Sequence, residues 1–167
     1  MIRAYFTAAF ILLCFALFES AILSNVRFLP AVPDFLLLCV LYFSYNGGRM
    51  FGVATGYTSG LFLDFLTAAP FGLHCMLRTI IGWATGFLNG TINIDGVIFP
   101  AILAFIATLL KAGLLRVIAL FFPISVSHYD MTSEAFIAEL AMNTILCPLV
   151  FKFISIFNAQ LSTGKEA

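Results

Sequence analysis

Ionisable side chains interrupt long apolar runs at Asp64, His74 and Arg78, and again at Lys111, Arg116 and Glu139. A lone charge in hydrocarbon is costly, so each must face protein or water and hold a partner. Asp64 continues a row of glycines, Gly48, Gly52, Gly56 and Gly60, while His74 and Arg78 precede a second row, Gly82, Gly86 and Gly90. Small residues at every fourth position let helix backbones approach closely. A turn of a few residues joins the two rows, which makes them antiparallel neighbours and brings Asp64, His74 and Arg78 to one level near that turn. Such a level suits an ion pair, Asp64 with Arg78 or Asp64 with His74, that fixes the hairpin's register. A substrate or ion site, or a contact surface for a partner helix, are the competing readings.

Lys111 falls near the middle of its run and should point into the bundle, whereas Arg116 can snorkel outward. Glu139 is expected closer in depth to Arg116 than to Lys111, and an internal pair is favoured over a transport role. No nucleophile stands beside an oriented base, and there is no phosphate loop. His74 and His128 are far apart, and Cys14, Cys39, Cys75 and Cys147 lie singly in apolar runs as small hydrophobes. The residue types thus point to no enzyme, no metal and no cofactor.

The elements that must position these groups follow from composition. The chain has 167 residues, 62% hydrophobic and only 10% charged, with 8 Lys+Arg against 8 Asp+Glu. A soluble domain carries roughly 25% charged residues, and the mean hydropathy here is +1.09. The absence of a basic cluster argues against nucleic-acid binding. An all-α polytopic membrane protein is the class that fits, and about six helices of roughly 20 residues fill the length.

A single integral membrane domain over 1–167 is expected, with helices at about 4–24, 34–45, 50–66, 71–89, 97–122 and 134–157 and a polar tail at 158–167. The first run imitates a signal peptide but is longer and lacks a small-x-small cleavage site, so it reads as a retained helix. Pro33 and Asp34 open the second helix, a proline at the first position and a carboxylate at the positive end of the dipole. Twelve residues rise about 18 Å, short of the ~30 Å hydrocarbon core. Either the stretch from Phe28 contributes in another form or this segment is re-entrant. Pro148 should kink the last helix, and a polar loop from Ser125 to Ser133 carries His128 and Asp130. Arg3, Arg49, Lys152 and Lys165 fall on one side of this six-span arrangement, with Arg27 opposite beside Asp34, Asp130 and Glu134. The positive-inside rule then makes both termini cytoplasmic.

The order of motifs extends the reading. Val32-Pro33-Asp34-Phe35-Leu36-Leu37-Leu38 opens the second helix, and Gly60-Leu61-Phe62-Leu63-Asp64-Phe65-Leu66 runs into Pro70-Phe71-Gly72-Leu73. Asn143-Thr144-Ile145-Leu146-Cys147-Pro148 marks the last helix. Together these resemble the bacterial rod shape-determining MreD family over about residues 1–158. Pro33, Asp34, Gly56, Gly60, Asp64, Gly72, Asn143 and Pro148 are the matching positions; Lys111, Glu139 and the His128 loop match none. The resemblance implies a non-enzymatic scaffold of the cell-elongation complex in the inner membrane, supporting lateral peptidoglycan synthesis. It implies MreC, MreB, RodA and its penicillin-binding transpeptidase as partners, beside membrane lipid. It also implies a bundle similar to the substrate-binding subunits of energy-coupling-factor transporters. That likeness leaves a small-solute (vitamin-type) binding subunit as the alternative function.

Overall fold

The computed structural model describes residues 2–21, 31–67, 69–90, 96–122 and 133–157. Expectations that fall on Arg27, His128, Asp130 and the tail lie outside the described residues. Five helices follow in chain order: α1 (Ile2–Ala21), α2 (Phe35–Leu66), α3 (Leu73–Gly86), α4 (Ile98–Phe121) and α5 (Glu134–Ser155). No strand occurs among the described residues. Three of the helices, α1, α4 and α5, are each long and apolar enough to cross a membrane.

The exception is α2, whose 32 residues are not one rod. Gly48 has φ 80° and ψ −177°, outside helical space and open to glycine without a Cβ penalty. The chain folds back there. In a straight helix Ser44 and Gly52 would lie about 12 Å apart along the axis, yet a Cβ on Gly52 would fall onto the Ser44 side chain. The limb before Gly48 therefore runs beside the limb after it.

That first limb is the centre of the molecule. Leu36, Leu37, Leu38, Cys39, Val40 and Leu41 have no exposed surface, as expected of a helix apolar on every side and covered on every side. Helices α1, α3, α4 and α5 all pack against α2. Their outward faces carry exposed Phe6, Phe10, Ile98, Ile102, Leu120 and Ile145. This is a surface for lipid, and the protein is a membrane protein. Cys39, Cys75 and Cys147 are buried, but Cys14 is exposed on the outer face of α1, which departs from the expectation for all four thiols. Pro148 lies inside α5, which runs through it without a break.

The glycine rows mesh α2 with α3 at backbone distance. A Cβ on Gly52 would meet the Gly82 carbonyl, one on Gly56 the Arg78 carbonyl, one on Gly60 the Cys75 backbone, and one on Gly86 the Arg49 backbone. The paired numbers fall on one side as they rise on the other, the signature of an antiparallel hairpin. Hydroxyls on the helices bond to the preceding turn, Thr55 of α2 to Phe51 O at 2.8 Å and Thr108 of α4 to Ala104 O at 2.8 Å, and so are not left bare in the apolar interior.

Leucine at Gly56 should therefore cost about 3 kcal/mol or more, beyond ordinary overpacking because backbone must move. Gly113 on α4 has open space around its Cβ position, and alanine there should leave stability unchanged or slightly improved. Unfolding in mixed micelles distinguishes the two. Equal tolerance at both positions would contradict the close approach.

Candidate functional site

The N-terminus of α2 lies inside the bundle, so its free N–H groups must find acceptors within the protein. Each does. Asp34 N–H donates to Asn143 Oδ1 of α5 at 2.9 Å. Phe35 N–H reaches the Pro33 carbonyl at 3.1 Å, and Leu36 N–H reaches Glu19 Oε2 of α1 at 3.4 Å. Leu37 N–H donates to the Asp34 carboxylate at 2.9 Å, the side-chain cap. Asn143, with no exposed surface, also donates from Nδ2 to Thr108 Oγ1 of α4 at 3.2 Å. Two neighbouring helices thus supply the acceptors that α2 lacks.

The same Asp34 carboxylate anchors an ion network. Arg78 Nη2 of α3 lies 2.5 Å from Oδ1, and Lys111 Nζ of α4 lies 2.7 Å from Oδ2. Lys111 also reaches Glu139 Oε1 of α5 at 2.8 Å. Asp34 and Arg78 are 4% and 3% exposed, which places this pair out of reach of solvent. Two cations and two carboxylates from four helices close on one another. Arg78 Nη1 alone, among the described residues, is a buried side-chain donor without a hydrogen-bond partner.

These contacts correct two expectations. Asp64 pairs with neither Arg78 nor the His74 side chain. Its carboxylate accepts the backbone N–H groups of Gly72 at 2.9 Å, His74 at 3.0 Å and Cys75 at 3.2 Å. The physical reason is proximity: Asp64 sits one turn from the reversal, where the first N–H groups of α3 are unsatisfied and a carboxylate meets the positive end of the helix dipole. Arg78, further along α3, turns instead to Asp34. Glu139 likewise binds Lys111, not Arg116, which is exposed on the outer face of α4.

Among the predicted residues the structure thus brings together Asp34, Arg78, Lys111, Glu139 and Asn143, with Pro33 at the same helix start. Gly52, Gly56, Gly60, Gly82 and Gly86 form the hairpin seam. Gly72, at φ 93°, and Asp64 form its cap, and Pro148 stands apart within α5. Reading the residues missed two participants. Neither Glu19 on α1 nor Thr108 on α4 is marked out by a motif or a spacing. A helix start with too few residues to span the membrane was the signal that outside acceptors were needed.

Chemically the arrangement is a lock. Apart from Arg78 Nη1, its charged groups are met by one another, and among the described residues no three His, Cys, Asp or Glu side chains group to hold a metal. Removing one partner of a buried pair leaves the other charge uncompensated, at about 3–5 kcal/mol. Asp34→Asn should show that loss, whereas Arg116→Gln should stay within about 0.5 kcal/mol as an exposed change does. A double-mutant cycle adds a sharper check: Asp34 and Arg78 should couple strongly, and Asp64 and Arg78 should come closer to additivity. Strong coupling confined to Asp64–Arg78 would reverse the assignment.

A model of the rod shape-determining protein MreD family matches residues 2–157. No curated protein and no solved structure matches the chain. The match takes in the Pro33-Asp34 helix start, the glycine seam ending at Asp64 and the Asn143-to-Pro148 segment, and it covers nearly the whole sequence: the chain belongs to the MreD family of rod shape-determining proteins.

Proposed function

We propose that this protein is a non-catalytic scaffold of the bacterial cell-elongation machinery, supporting lateral peptidoglycan synthesis from the inner membrane. The observation that carries the reading is the closed network of Asp34, Arg78, Lys111 and Glu139. Polar groups at the heart of the bundle hold its helices in one arrangement, and a fixed arrangement is what a protein needs to hold others. Membership of a shape-determining family supports the same role.

In this reading the bundle crosses the membrane six times. α1, α4 and α5 cross singly, the two limbs of α2 make an inward and an outward pass, and α3 returns. The first limb starts below the outer surface in this placement. Both termini are then cytoplasmic, and Arg3, Arg49 and Lys152 share that side, as the positive-inside rule favours. With little chain outside the helices, partners meet the scaffold chiefly helix to helix, where close packing drives association. MreC is the partner proposed first, with MreB, RodA and its transpeptidase reached directly or through it.

Depletion in cells tests the role: rods should round up and wall insertion should lose its lateral pattern, and MreC should co-purify with the wild-type protein. Unchanged shape, together with tight binding of a vitamin-sized solute by the purified protein, would favour the transporter-subunit alternative. For the topology, cysteines replacing Ser127 and Ser162 in a cysteine-free background should label from outside and stay protected, respectively. The opposite pattern would invert or refute the six-span placement.

A further inference from the structure

At the end of the bundle marked by the Gly48 turn, an arginine and two aromatic rings share one surface. The Arg49 guanidinium carbon lies 4.5 Å from the centroid of the Phe87 ring. Phe87 in turn packs edge-to-face on Trp83, with ring centroids 4.6 Å apart. Trp83 and Phe87 are 50% and 48% exposed, and Arg49 is exposed as well. No carboxylate among the described residues pairs with Arg49; its charge rests on a ring face, a cation–π contact.

We propose that Arg49, Phe87 and Trp83 form a binding site for the phosphate of an anionic phospholipid. The Arg49 guanidinium lies over the Phe87 ring, and the planar fork of an arginine matches phosphate oxygens bidentately. The Trp83 indole adds a second N–H donor one ring away, on a side chain whose apolar body and polar edge suit the headgroup level. Below it, Ile80 and Met76 continue the exposed stripe of α3 at helical spacing, a track along which an acyl chain can lie. The surrounding geometry fixes the arginine in place: its backbone is the one that Gly86 packs against, and Asn89 beside it donates to the Tyr45 and Asn46 carbonyls at the end of the first α2 limb. The site rests on the membrane placement of the bundle but not on which side the turn faces. A carboxylate from a partner protein is the rival occupant. The lipid is favoured because the donors sit at the end of an apolar stripe that faces hydrocarbon.

The test is retention of phosphatidylglycerol against phosphatidylcholine by the purified full chain, read by native mass spectrometry and by thermal stabilisation in detergent. Wild-type protein should retain phosphatidylglycerol preferentially. Arg49→Gln should weaken that preference about fivefold, the weight of one arginine at an anionic surface. Trp83→Phe keeps the ring and removes the N–H, and should weaken it by a smaller factor without lowering stability in neutral detergent. Arg49→Lys should be intermediate, since charge remains but the planar fork is lost. Equal retention of the two lipids by the wild type, or a preference unchanged in both Arg49→Gln and Trp83→Phe, would overturn the proposal. So would unchanged lipid preference combined with loss of a co-purifying protein, which would assign the surface to that partner.

Discussion

A helix that begins inside an apolar bundle brings unsatisfied N–H groups to a place where water cannot answer them. Everything distinctive in this fold follows from how the start of α2 meets that demand. Asp34 caps its own helix, and its carboxylate is in turn held by Arg78 and Lys111. Its backbone N–H goes to Asn143, and Glu19 takes the next free one. Each of the four other helices sends at least one side chain to this point. Remove the buried helix start and these charged groups have no reason to be at membrane depth.

The meeting of distant residues at one level is a matter of helix rise. The Tyr45 and Phe99 rings touch, with centroids 5.5 Å apart, and Asn89 bonds to the Tyr45 carbonyl. These contacts set a common floor near the Gly48 turn. Counting up from it at 1.5 Å per residue, Asp34 stands about 16 Å higher on α2, Arg78 about 16 Å higher on α3 and Lys111 about 18 Å higher on α4. Equal heights on adjacent helices are why residues separated by 44 and 77 positions form ion pairs.

Parts of this were legible in the sequence. The apolar class, the proline–aspartate helix start and the close approach along both glycine rows can all be read from residue types and spacing. Asp34's partners could not, because residue types and spacing do not fix how far along the bundle the short second helix begins. The limb from Phe35 to Gly47 starts level with the middle of α4, and so Lys111 meets both Asp34 and Glu139. Asp64 departs from its expected pairing for a different reason. Its partners are backbone N–H groups at the start of α3, and backbone donors carry no residue-type signal. Side-chain complementarity suggests Arg78, which pairs instead with Asp34, a carboxylate distant in sequence but at its own height in the bundle.

The network's contribution to stability is not what justifies it. Buried ion pairs often do no better than well-packed apolar residues of the same volume, because desolvation offsets much of the attraction. Here even one arm of Arg78, Nη1, is left without a hydrogen bond, at a cost that a leucine would not carry. What charges supply is discrimination between arrangements. Apolar helices in lipid have no hydrophobic drive toward one register over another, and α1, α4 and α5 are apolar around most of their outer surface. A one-turn slip of α4 would carry Lys111 about 5.4 Å away from Asp34 and Glu139, leaving Lys111 and Glu139 uncompensated while Asp34 kept only Arg78. The slip is therefore penalised far more heavily than loss of a few apolar contacts would penalise it. For a protein proposed to act by presenting helix faces to partners, that penalty keeps each exposed face at a fixed height and rotation. The polar centre and the lipid-facing surface are in this way one device: the first sets where the second stands.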